Sequence, residues 1–319
     1  MNNNIEELIQ GLFAGNVRSL SRLMTLVETK HEIMPVVMKS IYNKRKRARR
    51  IGLSGPPGAG KSTLLSNLVE TGVEKGHKIG VLCIDPTSPI SGGALLGDRI
   101  RLSDSFRNDD VFIRSVASGE SLGGLAEATK FHTLLLEAYG ADLILIETVG
   151  LGQVGYDIRD IAESLILVLV PESGDTVQIL KSGILELADI VVVNKSDRDG
   201  ADQISMSLSL IFEQARSGWN IPVIKSVARD NIGTDDIWES LNLHYDYLLA
   251  DNRLEKFNSP YSDLCEAMEM EFRRILHEDR LLENENIRKL VSDIDNGLID
   301  PYSAAVDIIN YLISEGKNG

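Results

Sequence analysis

Eight consecutive residues, Gly55-Pro56-Pro57-Gly58-Ala59-Gly60-Lys61-Ser62, fit the phosphate-binding pattern G-x-x-x-x-G-K-[ST]. The chemistry follows from the residue types. Glycines let the backbone fold round a phosphate chain and turn successive N–H groups inward. A helix starting at Lys61 brings the positive end of its dipole to the same place. Lys61 can reach β- and γ-phosphates, the Ser62 hydroxyl can ligate Mg²⁺, and Thr63 continues the phosphate-facing turn.

A second stretch selects a base. Asn194-Lys195-Ser196-Asp197 fits N-K-x-D. A carboxylate at the Asp197 position accepts two hydrogen bonds from guanine, at N1–H and the 2-amino group. Adenine offers neither donor and would leave the carboxylate unpaired. Further along, Ser226-Val227-Ala228 occupies the place of a guanine-contacting S-A-x element, with Val where Ala is usual.

Acidic residues supply the metal side. Glu147-Thr148-Val149-Gly150 closes an apolar run, where a Mg²⁺-linked acid and a glycine whose N–H senses a γ-phosphate belong. Asp85 closes the run after the P-loop helix, and Asp98 lies in a loop rich in Ser, Gly and Pro. Ser62, Asp85, Asp98 and Glu147 are the expected metal set, and Mg²⁺ needs only some of them directly because phosphate and water fill the rest. Leu151 stands where many GTPases carry a water-orienting Gln, and Gln153 is displaced from it. Slow intrinsic hydrolysis, completed by a partner or a loop movement, is the expectation. Asp175, Gln178 and Lys181 share one face if a helix starts there. They form either a moving loop that brings Gln178 or Lys181 to the phosphates beside Lys61 and Glu147, or an ordinary helix start.

These residues need a sheet to hold them. Strands are expected at Ile51–Ser54, Ile79–Asp85, Val111–Ser115, Leu143–Glu147, Leu165–Val170, Ile190–Asn194 and Val223–Ser226. Helices are expected at Lys61–Lys75, Ser121–Tyr139, Thr176–Leu187, Gln203–Ser217 and Thr234–Leu249. Continuous apolar strands imply a sheet covered on both faces. Alternation with helices implies an α/β fold, a mostly parallel P-loop sheet flanked by helices, whose ligands bind beyond the carboxyl ends of the strands. Helical extensions flank it, so the expected divisions are 1–50, 51–250 and 251–319. The apolar stripes of residues 5–41 require a covering surface, either the nucleotide domain or another subunit. Asp300-Pro301 opens a helix, with Asp as N-cap and Pro at the first helical position. The run Lys44-Arg45-Lys46-Arg47-Ala48-Arg49-Arg50 reads as an anion patch or as a solvated connector, the connector being favoured.

Composition bounds the partners. The 319 residues carry a formal charge of -14, which disfavours nucleic acid and acidic membranes. The two cysteines, Cys83 and Cys265, form no metal or redox spacing, and no leader or membrane-length apolar run is visible, so a cytoplasmic protein is expected.

The P-loop GPPGAGKST, the loop Ser91–Arg101, Glu147–Gln153 and Asn194–Asp197 together closely resemble the MeaB/ArgK group, the methylmalonyl-CoA mutase-associated GTPases. The resemblance continues through Gly15–Glu28 and Gly297–Ala305, almost end to end. It implies a homodimeric G-protein chaperone that binds GTP and GDP with Mg²⁺ and hydrolyses GTP. It would gate cofactor loading of an adenosylcobalamin-dependent acyl-CoA mutase, such as methylmalonyl-CoA mutase, and protect it. By the same resemblance Asp85, Asp98 and Glu147 fall on Mg²⁺-site acids, Asp175, Gln178 and Lys181 fall on a partner-responsive switch loop, and the C-terminal helices form a dimerisation arm. Two departures stand out: Val154-Gly155-Tyr156 follows Gln153 where the family continues G-Q-S-E, and Arg198-Asp199-Gly200 lengthens the turn after N-K-x-D. A nickel or other metallochaperone GTPase is disfavoured by five scattered histidines and the lack of C-x-x-C. A transport-linked kinase is disfavoured by N-K-x-D, and a nucleotide-gated module with negligible turnover stays open.

Overall fold

The computed structural model describes residues 2–29, 31–85, 110–117, 124–148, 158–171, 184–214, 218–277 and 285–315. They form two compact units, Met1–Phe257 and Asn258–Gly319. In the first unit seven strands build one sheet: β1 (Arg49–Ser54), β2 (Ile79–Asp85), β3 (Val111–Ala117), β4 (Leu143–Thr148), β5 (Ser164–Leu169), β6 (Ile190–Val193) and β7 (Val223–Lys225). Their order is β3-β2-β4-β1-β5-β6-β7, and every described pairing is parallel. The helices of this unit are α1 (Asn2–Phe13), α2 (Val17–Thr29), α3 (Met34–Ile41), α4 (Lys61–Glu74), α5 (Gly124–Tyr139), α6 (Ala201–Gln214) and α7 (Thr234–Ala250).

Alternation along β5 shows why the strands are apolar throughout. Ile166 and Val168 enter one core with Leu64, Leu68, Trp238 and Leu241 from α4 and α7. Leu167 and Leu169 enter another with Leu208 and Phe212 of α6. Both faces are therefore covered. At the centre of β1 a side chain on Gly52 would place its Cβ 2.8 Å from Ile158 and 2.9 Å from Leu165, so the covering segment sits directly on the strand. The chain leaves β1 toward β2 and β3, returns to β4, and then crosses to β5. This reversal opens a crevice at the carboxyl ends beside β1.

The N-terminal helices find their covering surface within the unit. Leu12, Leu20, Leu23, Met24 and Ile41 are fully buried, and α1, α2 and α3 pack against α5. Asn16 starts α2 by accepting from the backbone N–H of Arg18 at 2.9 Å and of Ser19 at 3.1 Å. On the far side of this contact Glu28 of α2 pairs with Arg114 of β3 at 2.6 Å and with buried His132 of α5 at 3.2 Å.

The basic run before β1 is not a solvated connector. Arg45 and Arg50 both pair with Glu137 of α5, at 2.8 and 2.7 Å, and Arg47 pairs with Glu163 at 2.8 Å. The backbone N–H of Arg50 also donates to Glu163. Arginines turn inward and Lys44 and Lys46 stay exposed. That division follows from chemistry, because the guanidinium fork is weakly hydrated and can serve several acceptors at once.

Several element ends also move. β3 runs two residues past the expected Ser115, and α6 covers Ala201–Gln214 rather than starting at Gln203. Of the expected helix Thr176–Leu187 only Ile184–Leu187 is described, as a 3-10 turn. The second unit holds α8 (Pro260–His277), α9 (Glu285–Asp295) and α10 (Pro301–Glu315). Asp300 caps α10 as the sequence predicts, accepting from Tyr302 N at 2.9 Å and Ser303 N at 3.0 Å. Among the described residues no helix is long and apolar enough to cross a membrane.

Candidate nucleotide site

The P-loop joins β1 to α4 at the crevice. Two of its glycines are dictated by close approach. A Cβ on Gly55 would lie 2.2 Å from the carbonyl oxygen of Val168 on β5. Gly60, at φ +88, opens α4, and a Cβ there would lie 2.3 Å from Asn194 Nδ2. No side chain fits either position. Lys61 is buried, and its Nζ donates to the loop carbonyls of Gly55 at 2.8 Å and Pro56 at 3.1 Å. The ammonium thus rests across the loop it would share with a phosphate chain.

At the second residue of the helix, Ser62 Oγ donates to Glu147 Oε1 at 2.8 Å. Glu147 is buried at the end of β4, and Thr148 beside it donates to Leu53 O and Ser54 Oγ at 3.3 Å each, which ties β4 to β1 at the same edge. A hydroxyl and a carboxylate in contact at a helix N-terminus are the donor types that Mg²⁺ takes alongside phosphate oxygens and water. The arrangement fits that ion. Asp85 ends β2, one strand over; Cys83 of β2 is in register with Glu147, so the Asp85 backbone reaches the same sheet edge. Its side chain lies outside the described residues. So do Asp98, Gly150, Asp175, Gln178, Lys181 and the departure at Val154-Gly155-Tyr156. Among the described residues no three His, Cys, Asp or Glu side chains gather into a metal cluster.

The base-selecting motif is fastened to the P-loop. Asn194 Nδ2 donates to Ala59 O at 2.8 Å, and Lys195 Nζ donates to Gly58 O at 2.7 Å. Lys195 holds a left-handed φ of 56° to do so. Asn194 Oδ1 also accepts from Ala228 N at 3.0 Å, while Asn67 of α4 donates to Ala228 O at 2.7 Å. Three chain segments that are far apart in sequence thus meet as one hydrogen-bonded platform.

An open cleft lies on this platform. Gly60 and Thr63 line its phosphate end, and Asn194, Lys195, Asp197, Val227 and Ala228 line its base end. Ser226 does not reach it. That residue is fully buried, and its hydroxyl donates to Ile232 O at 3.0 Å. Val227 and Ala228 of the expected triplet line the cleft, and Arg229 lines it beside them. Arg229 and Arg198 are lining residues that the motif reading missed. The signal for Arg229 was its place directly after Ala228. Asp230 holds the Arg229 guanidinium above its usual range through a hydrogen bond and its charge, with Asp197 adding to the effect.

Comparison with known proteins agrees with this geometry. Residues 20–278 match the family described as methylmalonyl-CoA mutase-associated GTPase MeaB. A putative GTPase of Pyrococcus abyssi is 40% identical over 98% of both chains. The mouse mitochondrial protein named methylmalonic aciduria type A homolog is 35% identical over 78% of this chain and 65% of its own. Among solved structures, one titled LAO/AO transport system kinase superposes over 98% of both chains with a TM-score of 0.69 and 24% identity, a likeness of fold.

Proposed function

Because the chain belongs to the MeaB family of methylmalonyl-CoA mutase-associated P-loop GTPases, we propose that it binds GTP, hydrolyses it to GDP and phosphate, and uses that cycle to gate cofactor loading of an adenosylcobalamin-dependent acyl-CoA mutase. The observation that carries the nucleotide part is the bonding of Asn194 and Lys195 to Ala59 and Gly58. It fixes the distance between a base-selecting carboxylate, Asp197, and the phosphate cradle.

In this reading the β- and γ-phosphates take the P-loop N–H groups, and Lys61 exchanges its two carbonyl partners for phosphate oxygens. Ser62 and Glu147 hold Mg²⁺, with Asp85 and Asp98 completing its surroundings directly or through water. Held there, Mg²⁺ would supply neutralisation of the charge that develops on the transferred phosphoryl group. Phosphoryl transfer needs positioning and charge stabilisation more than covalent chemistry, so a fixed Lys and metal supply much of it. Gly150 senses the γ-phosphate, and Gln178 and Lys181 complete the catalytic set from the segment after β5. Their assignment rests on sequence position.

The partner is assigned by family, and the second unit supports a homodimer. Tyr261, Leu264, Met268 and Phe272 recur at helical spacing on α8, and all four are exposed. A second copy of this chain would cover them. A reduced, cytoplasmic setting suits Cys83 and Cys265, which form no disulfide.

The deciding experiment is hydrolysis of GTP and ATP by the purified protein, alone and with an adenosylcobalamin-dependent mutase. GTP-selective turnover that rises with the mutase is expected. ATP preference would overturn the base assignment. GTP turnover indifferent to every such mutase would overturn the partner.

A further inference from the structure

Arg229 stands at the base end of the cleft in a way that no motif assigned. Its Nη2 lies 3.8 Å from Asp197 Oδ2. Its Nε and Nη2 also grip the two oxygens of Asp230, at 3.2 and 3.1 Å. The backbone beneath is pinned as well, because Val227 and Ile232 exchange hydrogen bonds of 3.1 and 3.2 Å around the turn that carries Arg229. The guanidinium is therefore held in a fixed plane beside the carboxylate that would read the base.

The separation decides what Arg229 can do. At 3.8 Å the contact is an ion pair and not a hydrogen bond. Arg229 does not occupy the lone pairs that a guanine edge requires, so base and arginine can be present together. When a base covers Asp197 it removes water from a carboxylate that is 43% exposed, and a buried charge without a counter-charge is costly. A cation beside the carboxylate lowers that cost for the charged form while the base bonds its unoccupied lone pairs. We propose that Arg229 is a specificity-determining positioning residue, holding and neutralising Asp197 from beside it at the cleft wall so that guanine binds it. The proposal rests on the guanine reading above, and its effect is greatest for that base.

The test is nucleotide affinity, measured by titration calorimetry with GDP and ADP on the full chain. The variants are Arg229→Ala, Arg229→Lys, Asp230→Ala, Asp197→Asn and the pair Asp197→Asn with Arg229→Ala. Arg229→Ala is expected to weaken GDP by about three- to fivefold, the scale of one charge contact at a protein surface. ADP, which gives Asp197 no hydrogen bond for the arginine to orient, should lose less, so the GDP-to-ADP preference narrows. Arg229 is 76% exposed, so the thermal midpoint should hold. Arg229→Lys keeps the charge but loses the two-point grip on Asp230, and with Asp230→Ala it should fall between wild type and Arg229→Ala. In the Asp197→Asn background, removing Arg229 should change nothing further. GDP affinity unmoved in Arg229→Ala, or an equal loss in both backgrounds, overturns the proposal while leaving the guanine reading intact. GDP affinity unmoved in Asp197→Asn removes that reading itself, and this proposal with it.

Discussion

Ser164, His244 and Asp189 show how much residue chemistry depends on place. Ser164 Oγ lies 2.8 Å from His244 Nδ1, and Asp189 Oδ1 lies 3.4 Å from His244 Nε2. Serine, histidine and aspartate in that order suggest nucleophilic catalysis, yet all three are buried beneath the sheet edge opposite the nucleotide cleft. Their role is structural. Asp189 takes Arg159 through both oxygens, accepts from Leu165 N at 2.8 Å, and its carbonyl accepts from Trp219 Nε1. Burial pushes His244 down to about 4, with Asp189 opposing and Arg159, Arg49 and Arg253 adding to the fall. The sign follows directly. Unfolded, the imidazole takes a proton near its ordinary 6.5; folded, it stays neutral to about pH 4. Its contribution is complete above pH 6.5 and is lost progressively between about 6.5 and 4, to a limit of about 3 kcal/mol. Urea midpoints at pH 7.5, 6 and 5 for wild type and His244→Gln should diverge, the wild type falling more steeply. Parallel profiles would refute the assignment.

At the scale of elements, the sheet was legible because the strands are short apolar runs, several of them closed by a residue with chemistry to do. Glu147 near the end of β4 and Asn194 directly after β6 are where the sequence placed them, as strand ends predict. Errors arose where a partner was distant in sequence. Nothing within residues 44–50 reveals that three arginines face inward, because Glu137 and Glu163 lie far along the chain. Of Ser226-Val227-Ala228, Val227 and Ala228 line the cleft, while Ser226 turns inward to Ile232 O, a partner the local sequence does not announce. The clamp at Glu137 now carries a prediction. Its side chain is 0% exposed and serves Arg45, Arg50 and the Ala48 N–H together. Glu137→Ala leaves two guanidinium groups facing a dry pocket and should cost about 3–5 kcal/mol. Lys46→Ala, on the exposed side of the same run, should stay within about 0.5 kcal/mol. Denaturant unfolding of both variants checks this, and a loss below about 1 kcal/mol in Glu137→Ala would show that the clamp is not what joins the connector to α5.

At the scale of the molecule, the two units divide the work. The first contains every described residue of the nucleotide site. The second contains apolar surface that its own helices leave open. Along α8 Tyr261 is 77% exposed, Leu264 57% and Met268 63%, and on α10 Tyr302 reaches 85%. Isolated apolar residues at a surface are ordinary, but a stripe repeated at helical spacing on two helices is the mark of an interface. With a formal charge of -14 on each chain, two copies repel at long range, so the proposed dimer would have to form by apolar burial at short range. Charge placed in the stripe therefore acts twice, by losing that burial and by adding to the repulsion. Leu264→Asp with Met268→Asp is expected to convert a dimer into a monomer by light scattering, while GDP affinity stays within about twofold because the cleft lies in the other unit. A wild-type monomer at micromolar concentration, or a double variant that keeps the dimer mass, would exclude α8 as the dimer contact. A variant that becomes monomeric and also loses GDP would show that the second copy completes the nucleotide site, and the division of labour between the units would fall.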